Sequence, residues 1–410
     1  MGVDASPVGS CGPPTQRPAP CTEWRIAGSD TIVSGSYPIP DSGVGEMDFY
    51  LSGFVPSGNG ALVAWTTTYY RSNYTPTFWQ TRALNIDGTP RSAIVSHQLM
   101  PVTGPGDTAF MGLAVTPQCA FGGLAYASTN AVSGCSFLPL DGDGNEIGPI
   151  VSLSSDGADG GVNNGTFCLD LGPAPGGFSY IQEAPNSGGT ADLVTVGSNG
   201  SPGLRKSLGT FPGFNPGRLV LDDESFLLVT FFETDAANEY TSQVAHYDPS
   251  GVQIAPGTTV ATSENFLMEE TSRGVLAVYA GSDPANPSGQ TLYAVPLSRD
   301  GVPTATPVSL AVTATPGEIY SFGLSPSPSG DVIIDWTTTT SSHFFATELD
   351  PGGGQRAPVL DFGLLGSNLG GTFLVSADGE RALLVYAVAT VSGGPSNGGV
   401  HTLPLACATD

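Results

Sequence analysis

The segment "LVAWTTT" (Leu62–Thr68) is a short apolar run with an aromatic residue near its end, a pattern typical of a buried β-strand. Similar segments recur at intervals of roughly 50 to 60 residues, which indicates a repeat architecture. The seven copies are "LVAWTTT" at 62, "GLAYAST" at 123, "GFSYIQE" at 177, "LLVTFFE" at 227, "LAVYAGS" at 276, "IIDWTTT" at 333 and "LLVYAVA" at 383. Because the aromatic residue recurs in nearly every copy, we interpret it as a packing residue between sheets.

Each copy belongs to a larger unit of four short strands, which we label A to D, with the quoted segment as strand B. A second strand follows it, and then a turn such as "NIDGTP", "DPSGVQ" or "SRDGVP". Asn-Gly and Asp-Gly supply the positive φ that tight hairpin turns need. A further strand, such as "SAIVSH" or "GPIVSL", closes the unit. The sequence therefore predicts an all-β fold, a seven-bladed β-propeller of four-stranded antiparallel blades.

The last unit lacks its strand D, because the chain stops at "HTLPLACATD" after strand C. The segment "TIVSGS" (residues 31–36) resembles the D strands and precedes the first strand A. We therefore expect residues 31–36 to supply the outer strand of the last blade, which would pair backbone groups that are otherwise left open at the seam. This prediction gives a Pro-rich N-terminal tail over residues 1–24 and a single propeller over residues 25–410.

Beyond about residue 24, the chain resembles seven-bladed β-propellers of exported bacterial proteins. The resemblance is carried by the repeated strand and turn pattern and by "SADG" at 376, which is similar to the Ser-Pro-Asp-Gly turns of some exported propellers. No Trp-Asp dipeptide repeat and no paired-glycine kelch pattern occurs. The resemblance implies closure of the last blade by a strand from the other end of the chain.

The composition excludes several partners. The net charge is -25, with 12 Lys+Arg against 37 Asp+Glu, so nucleic acid and anionic membrane surfaces are disfavoured. No run of about 18 to 20 apolar residues predicts a membrane span. We expect an exported protein whose signal precedes this numbering, a monomer whose tail links it to a surface, as in a lipoprotein, or to a larger assembly.

Six cysteines suit an oxidising compartment and allow 15 pairings, which spacing alone does not distinguish. Cys407 lies at the end of the last strand, and Cys21 lies about ten residues before the segment predicted to join that strand. We expect Cys407 to pair with Cys21, or failing that with Cys11. Free buried cysteines are the alternative.

The B-to-C loop of blade 1, "TTTYYRSNYTPTFWQ", contains a concentration of aromatic residues that no other blade matches. Exposed rings and an arginine provide large contact areas at low entropic cost, as glycan- or protein-binding surfaces require. The alternative is that this long loop packs over a neighbouring blade. The candidate ligand-binding residues are Tyr69, Tyr70, Arg71, Tyr74, Phe78 and Trp79.

Acidic residues fall on or near the strands A that would line the central channel, and they predict a negatively charged channel mouth. A pair such as Glu269 with Asp222 or Glu318 would suit a glycosidase at the right separation. The alternative is ordinary solvation of a water-filled channel. The residues concerned are Glu46, Asp48, Asp107, Asp170, Glu264, Glu269, Glu270 and Glu318.

The turn "DGDGNE" places Asp141, Asp143 and Asn145 at alternate positions, as at the start of a calcium loop. Its glycine stands at the fourth rather than the sixth place, and the segment occupies the position of a plain C-to-D turn in the other blades. A bare hairpin turn is therefore the alternative to a Ca²⁺ site, and we expect no other cofactor.

Enzyme signatures are scarce in this chain. No H-E-x-x-H pair and no sialidase-type Ser-x-Asp-x-Gly-x-Thr-Trp turn occurs. We therefore predict a non-catalytic binding or scaffolding propeller that recognises a protein or glycan through its loop face. The alternatives are a hydrolase or lyase with an acidic site at the channel mouth, and a purely structural module.

Overall fold

The computed structural model describes most of the repeated strands together with one group of turns. The described residues are 17–35, 44–71, 77–97, 108–128, 133–153, 167–184, 190–211, 217–233, 240–261, 263, 266–283, 286–310, 319–338, 343–364, 368–388 and 398–408. Within these ranges every regular element is a β-strand, and no helix could cross a membrane.

The strands form seven antiparallel sheets, and each sheet is one blade of a propeller. Blade 1 contains β3 (Val44–Ser57), β4 (Gly60–Arg71), β5 (Thr77–Asn85) and β6 (Val95–His97). Blade 2 contains β7 (Thr108–Val115), β8 (Phe121–Ser128), β9 (Ser133–Leu140) and β10 (Val151–Ser152). Blade 3 contains β11 (Phe167–Ala174), β12 (Gly177–Ala184), β13 (Thr190–Gly197) and β14 (Pro202–Thr210). Blade 4 contains β15 (Gly217–Val220), β16 (Phe226–Glu233), β17 (Tyr240–Tyr247) and β18 (Gln253–Ala261). Blade 5 contains β19 (Phe266–Thr271), β20 (Gly274–Asp283), β21 (Asn286–Leu297) and β22 (Val308–Ser309). Blade 6 contains β23 (Ile319–Pro326), β24 (Val332–Thr338), β25 (His343–Leu349) and β26 (Leu360–Leu364). Blade 7 contains β27 (Asn368–Val375), β28 (Arg381–Val388) and β29 (Gly399–Cys407). The predicted all-β, seven-bladed propeller is thereby confirmed.

The hydrophobic core lies between neighbouring blades rather than at one centre. Trp336 of blade 6 packs in one cluster with Val278 and Leu292 of blade 5. The recurring aromatic residue is buried wherever its side chain is described, except for the partly buried Tyr279, as the packing interpretation requires. Each blade must therefore keep both of its faces apolar.

Blade 7 is closed by the N-terminal segment, as the missing strand D predicts. Two short strands, β1 (Trp24–Ile26) and β2 (Thr31–Ile32), both pair antiparallel with β29. Thr31 lies opposite Thr402, and the Val33 amide donates to the Val400 carbonyl at 2.8 Å. The outer strand begins earlier than the pattern predicts, because Trp24, in the segment predicted as a tail, already pairs with Cys407.

Two disulfides link neighbouring parts of the ring covalently. Cys21 is bonded to Cys407 across the closure of blade 7, with their Cα atoms 5.7 Å apart. Cys135 of β9 is bonded to Cys168 of β11, which joins blade 2 to blade 3. Cys119 is also in a disulfide, and the described cysteines contain no free thiol.

The C-to-D turns depend on glycine at one position. Gly251 and Gly301 have φ values of +80° and +77°, and an added Cβ at Gly301 would lie 2.6 Å from a Val244 methyl. Glycine avoids both the backbone strain and the clash with the neighbouring blade. The glycine of these turns is therefore required both by the backbone conformation and by the packing of neighbouring blades.

Removing the disulfide of the closure should cost more stability than removing the one between blades 2 and 3. The cysteines are 386 and 33 residues apart in sequence, for which the loop-entropy estimate gives about 6 and about 4 kcal/mol as upper values. We expect Cys21→Ser/Cys407→Ser to lower the free energy of unfolding in urea by about 2 kcal/mol more than Cys135→Ser/Cys168→Ser. Equal losses for the two double variants would contradict this expectation.

Candidate functional site

The two ends of the ring have different connections. At one end, called the loop end, the chain passes from strand D to A and from B to C. At the other, called the turn end, the tight A-to-B and C-to-D turns lie. Residues 72–76 of the aromatic loop, including Tyr74, lie outside the described residues.

In the described residues, the pairing of strands A and B extends further toward the loop end in blade 1 than in the other blades. Eleven of the twelve residues of β4 pair with β3, from Gly60 opposite Ser57 to Arg71 opposite Val44. In the described parts of the other blades, at most seven residues of strand B pair with strand A. The excess of four residues corresponds to about 13 Å at about 3.3 Å per residue. Blade 1 therefore carries a two-stranded extension, Thr67–Arg71 with its partners on β3.

The extension contains three of the predicted ligand-binding residues. Tyr69, Tyr70 and Arg71 are the last three residues of β4, and Phe78 lies opposite Thr67 at the start of β5. For these four residues the structure describes the backbone only. Their register alone places them together at the loop end.

Trp79, by contrast, is part of the core between blades 1 and 2. Its side chain is 1% exposed, and its ring lies 4.3 Å from the ring of His97. His97 bonds Thr81 at 2.8 Å and, through Nδ1, Glu146 of blade 2 at 2.8 Å. Burial lowers the pKa of His97, so it is a neutral packing residue at neutral pH. Trp79 is therefore not available to a ligand on the surface. For this residue the structure agrees with the alternative interpretation, in which the loop packs over a neighbouring blade.

An acidic cluster with one arginine lies at the turn end between blades 4 and 5. Arg299 donates to Glu270 at 2.7 Å and to Asp222 at 2.6 Å, and it also pairs with Asp223 at 3.1 Å. The Asp222 amide donates to the second oxygen of Glu270 at 2.8 Å. Arg299 therefore neutralises a group of carboxylates that would otherwise repel one another. The turn "SRDG" contains Arg299, but no local signal indicates that it faces the preceding blade.

Glu269 lies beside this cluster near the end of β19. Its carboxylate accepts the Glu270 amide at 3.1 Å, and the residue is partly buried. Removal of the carboxyl from water raises the pKa of Glu269 to about 8, and the neighbouring Glu270 adds to the shift. A carboxyl of this kind carries a proton at neutral pH, which is the state that a general acid requires.

The carboxylate pairs suggested by the sequence are only partly brought together. Asp222 contacts Glu270 rather than Glu269, because adjacent residues of a strand point to opposite faces. Glu318, Asp107 and Glu264 lie outside the described residues, and only the backbone of Glu46 and Asp48 is described. Glu269 and Glu270 lie at the turn end of the channel, since both are near the A-to-B turn of blade 5.

Asp170 is hydrogen-bonded to Arg218 across the interface of blades 3 and 4. The Arg218 amide donates to Asp170 Oδ2 at 2.9 Å, and the guanidinium donates to the Asp170 carbonyl and to Ser179. Loss of solvation raises the pKa of Asp170 and lowers the pKa of Arg218 to about 10, while their mutual attraction opposes both shifts. Asp170 also adopts a φ of +51° at an irregularity of β11. These bonds indicate a role in joining the two blades.

The predicted calcium ligands form a hydrogen-bonded turn. Asp141 Oδ1 accepts the amides of Asp143 and Asn145, each at 2.9 Å, and Asp143 pairs with Arg91 at 3.2 Å. Asp248 and Asp350 make the same amide bonds in blades 4 and 6. No group of three or more His, Cys, Asp and Glu side chains in the described ranges has metal-binding geometry. The geometry favours the turn interpretation, and a calcium ion here stays a prediction.

Comparisons with known proteins extend the evidence on the fold. No protein-family model and no curated protein matches the chain. Among solved structures, the polysaccharide lyase Uly1 is similar with a TM-score of 0.51 and 11% identity, over 87% of this chain and 90% of that one. The β-propeller domain of the Trilobed protease from Pyrococcus furiosus gives 0.49 and 10%, over 83% and 92%. At such low identity the similarity concerns the fold alone.

The raised pKa of Glu269 predicts a pH-dependent loss of stability. The carboxyl titrates near 4.5 in the unfolded chain and near 8 in the folded one, so the free energy of unfolding falls as the pH rises through this interval. We expect Glu269→Gln to remove part of the fall and to be about 1–2 kcal/mol more stable than wild type at pH 8. Urea unfolding at pH 5 and pH 8 measures this, with the exposed Glu380→Gln as control; identical pH profiles of wild type and Glu269→Gln would refute it.

Proposed function

We propose that this protein is an exported, non-catalytic binding propeller that recognises a protein or a glycan through its loop end. The observation that carries the proposal is the extension of blade 1, in which β4 continues through Tyr69, Tyr70 and Arg71 alongside β3. Tyrosine and arginine dominate the energetics of many binding surfaces, because they combine a large flat contact area with hydrogen bonding.

A propeller closed by hydrogen bonds and a disulfide is a suitable support for such a surface. The strands below the extension are hydrogen-bonded from Gly60 onward, and the Trp65 indole donates to Gln80 at 3.0 Å within the same blade. A rigid support lowers the entropy lost when a ligand binds. The disulfides Cys21–Cys407 and Cys135–Cys168 support export, since such bonds persist in oxidising compartments.

Alanine substitution along the extension tests the proposal. We expect Tyr69→Ala/Tyr70→Ala/Arg71→Ala to weaken binding at least about tenfold on a glycan array or an immobilised peptide library, since each hot-spot side chain contributes about 1–2 kcal/mol or more. Ile254→Ala, on the outer strand of blade 4 and 56% exposed in wild type, is the control and should bind normally. Unchanged binding by the triple variant would remove the extension from the proposal.

A hydrolase or lyase is the second candidate, and the protonated carboxyl of Glu269 favours it. Glu269 would act as the general acid, with the Glu270, Asp222 and Arg299 group providing fixed charges nearby. If this candidate is correct, wild-type protein should release new sugar ends from a panel of polysaccharides, and Glu269→Gln should lower the rate by about 10²–10⁴. Equal release by the two proteins, or release by neither, would argue against catalysis. The extension variants should not affect this rate.

A further inference from the structure

We propose that the seam between blades 6 and 7 is a pH-sensitive latch, in which ionisation of Glu348 loosens the N-terminal strap, residues 17–35. The inference is independent of the ligand of the loop end. It is based on the path of the strap, on the surroundings of Glu348 and on the composition of the two blade faces that meet at the seam.

The strap crosses the turn end before it becomes the outer strand of blade 7. Arg17 lies against Gly330 in the A-to-B turn of blade 6, and Pro18 lies against Gly379 in that of blade 7. Cys21 is then bonded to Cys407, and Trp24 enters the seam with 8% of its surface exposed. Strands β1 and β2 follow along β29. Trp24 is thus the side chain by which the strap contacts blade 6.

The residue of blade 6 that Trp24 contacts is Glu348. The Trp24 indole donates to Glu348 Oε2 at 3.0 Å, over 324 residues of sequence, and Glu348 has no exposed surface. Its other oxygen accepts a long bond from Ser329 at 3.5 Å, and the Ser327 hydroxyl also bonds the carboxyl. No arginine or lysine side chain of the described residues bonds the Glu348 carboxyl. The Arg356 amide donates to the Glu348 carbonyl at 2.8 Å, but its guanidinium pairs with Asp331 at 2.5 Å and acts on Glu348 only from a distance. A negative charge on Glu348 would therefore be buried without a direct counter-charge, which is costly.

Among the described residues, the face of blade 7 opposite Glu348 carries no arginine or lysine. Its described surface is mainly apolar, formed by Phe373, Leu384, Leu403, Leu405 and Trp24. The titratable groups on this face are Tyr386 and the stacked His401, which is already bonded to Asp30 at 2.9 Å.

Blade 6 adds further acids to the same face. Asp335 lies on β24, and Asp331 immediately precedes that strand. Each is two residues from Ile333, the residue paired with Glu348, so these side chains lie on the same face of the blade. Asp335 is 3% exposed, its Oδ2 atom has no hydrogen-bond partner, and burial raises its pKa well above the ordinary value. Asp350 and Arg273 act on Asp331 from the adjoining turns, with opposite signs. The seam therefore contains more carboxyl groups than cations to pair with them.

The pH at which the latch responds follows from these surroundings. Burial raises the pKa of Glu348 from 4.5 to about 7, while the Trp24 hydrogen bond opposes the shift and Asp331 adds to it. At acidic pH the neutral carboxyl accepts the Trp24 bond and the strap is closed. As the pH rises through about 7, the charged form favours any state in which water reaches Glu348. The Cys21–Cys407 bond keeps the opened strap attached, so that the opening is local and reversible.

Hydrogen exchange on the intact protein tests the latch. With intrinsic exchange rates corrected for pH, the strap of wild type should lose protection between about pH 5.5 and 8.5. Its opening constant should rise up to about 30-fold, which is the part of a shift from 4.5 to about 7 that falls in this range. Peptides from blade 3 should show no such change. In Glu348→Gln, which preserves an acceptor for Trp24, the strap should remain protected at both pH values. Glu380→Gln is the matched control and should behave as wild type.

A second measurement is the rate at which a phosphine, a reductant largely insensitive to pH in this range, cleaves Cys21–Cys407. It should rise with pH in wild type and in Glu380→Gln but not in Glu348→Gln. Two results would overturn the proposal. One is a strap whose pH response is the same in wild type and Glu348→Gln. The other is a loss of protection shared equally by all blades, because that is global unfolding rather than a latch.

Discussion

The closure of the ring is the constraint on which the rest of this structure depends. Each blade covers the faces of its two neighbours, so an open seam between any two blades exposes apolar surface on both and leaves backbone groups of an edge strand unpaired. The chain meets this constraint by pairing Trp24–Ile26 and Thr31–Ile32 with the last strand and by the Cys21–Cys407 bond. The seam thus joins the two ends of the chain and is also where the strap can open.

The shortage of basic residues determines how the blades tolerate their buried acids. With 12 Lys+Arg for 37 Asp+Glu, most carboxyls cannot have a cation partner. Asp170 has Arg218 and Glu270 has Arg299, but Glu348 and Asp335 lie in the seam without a bonded base. A buried acid without a counter-charge favours its neutral form. The composition, which also disfavours nucleic acid as a partner, therefore makes the interfaces sensitive to pH.

The strands, the turns and the closure could be predicted from the sequence because each has a local signal, such as the run "LVAWTTT", an Asp-Gly turn, or a missing final strand. Burial of individual aromatic residues had no such signal: Trp79 and Tyr70 look alike in sequence, yet Trp79 packs against His97. The position of Glu269 at the turn end and the approach of Arg299 from the next turn depend on strand bounds and on blade-to-blade register. Neither is encoded within one repeat.

The two ends of the ring perform different physical tasks. At the loop end, the extension of blade 1 adds about 13 Å of paired backbone, and it is the segment to which the binding role is proposed. At the turn end, the strap passes over blades 6 and 7 and covers an apolar cleft formed by Ile333, Leu360, Phe373 and Leu405. Because Glu348 and Tyr70 lie at opposite ends of different blades, a substitution at one should leave the other unaffected. The proposed ligand recognition and the closure of the ring can therefore be tested separately by single variants.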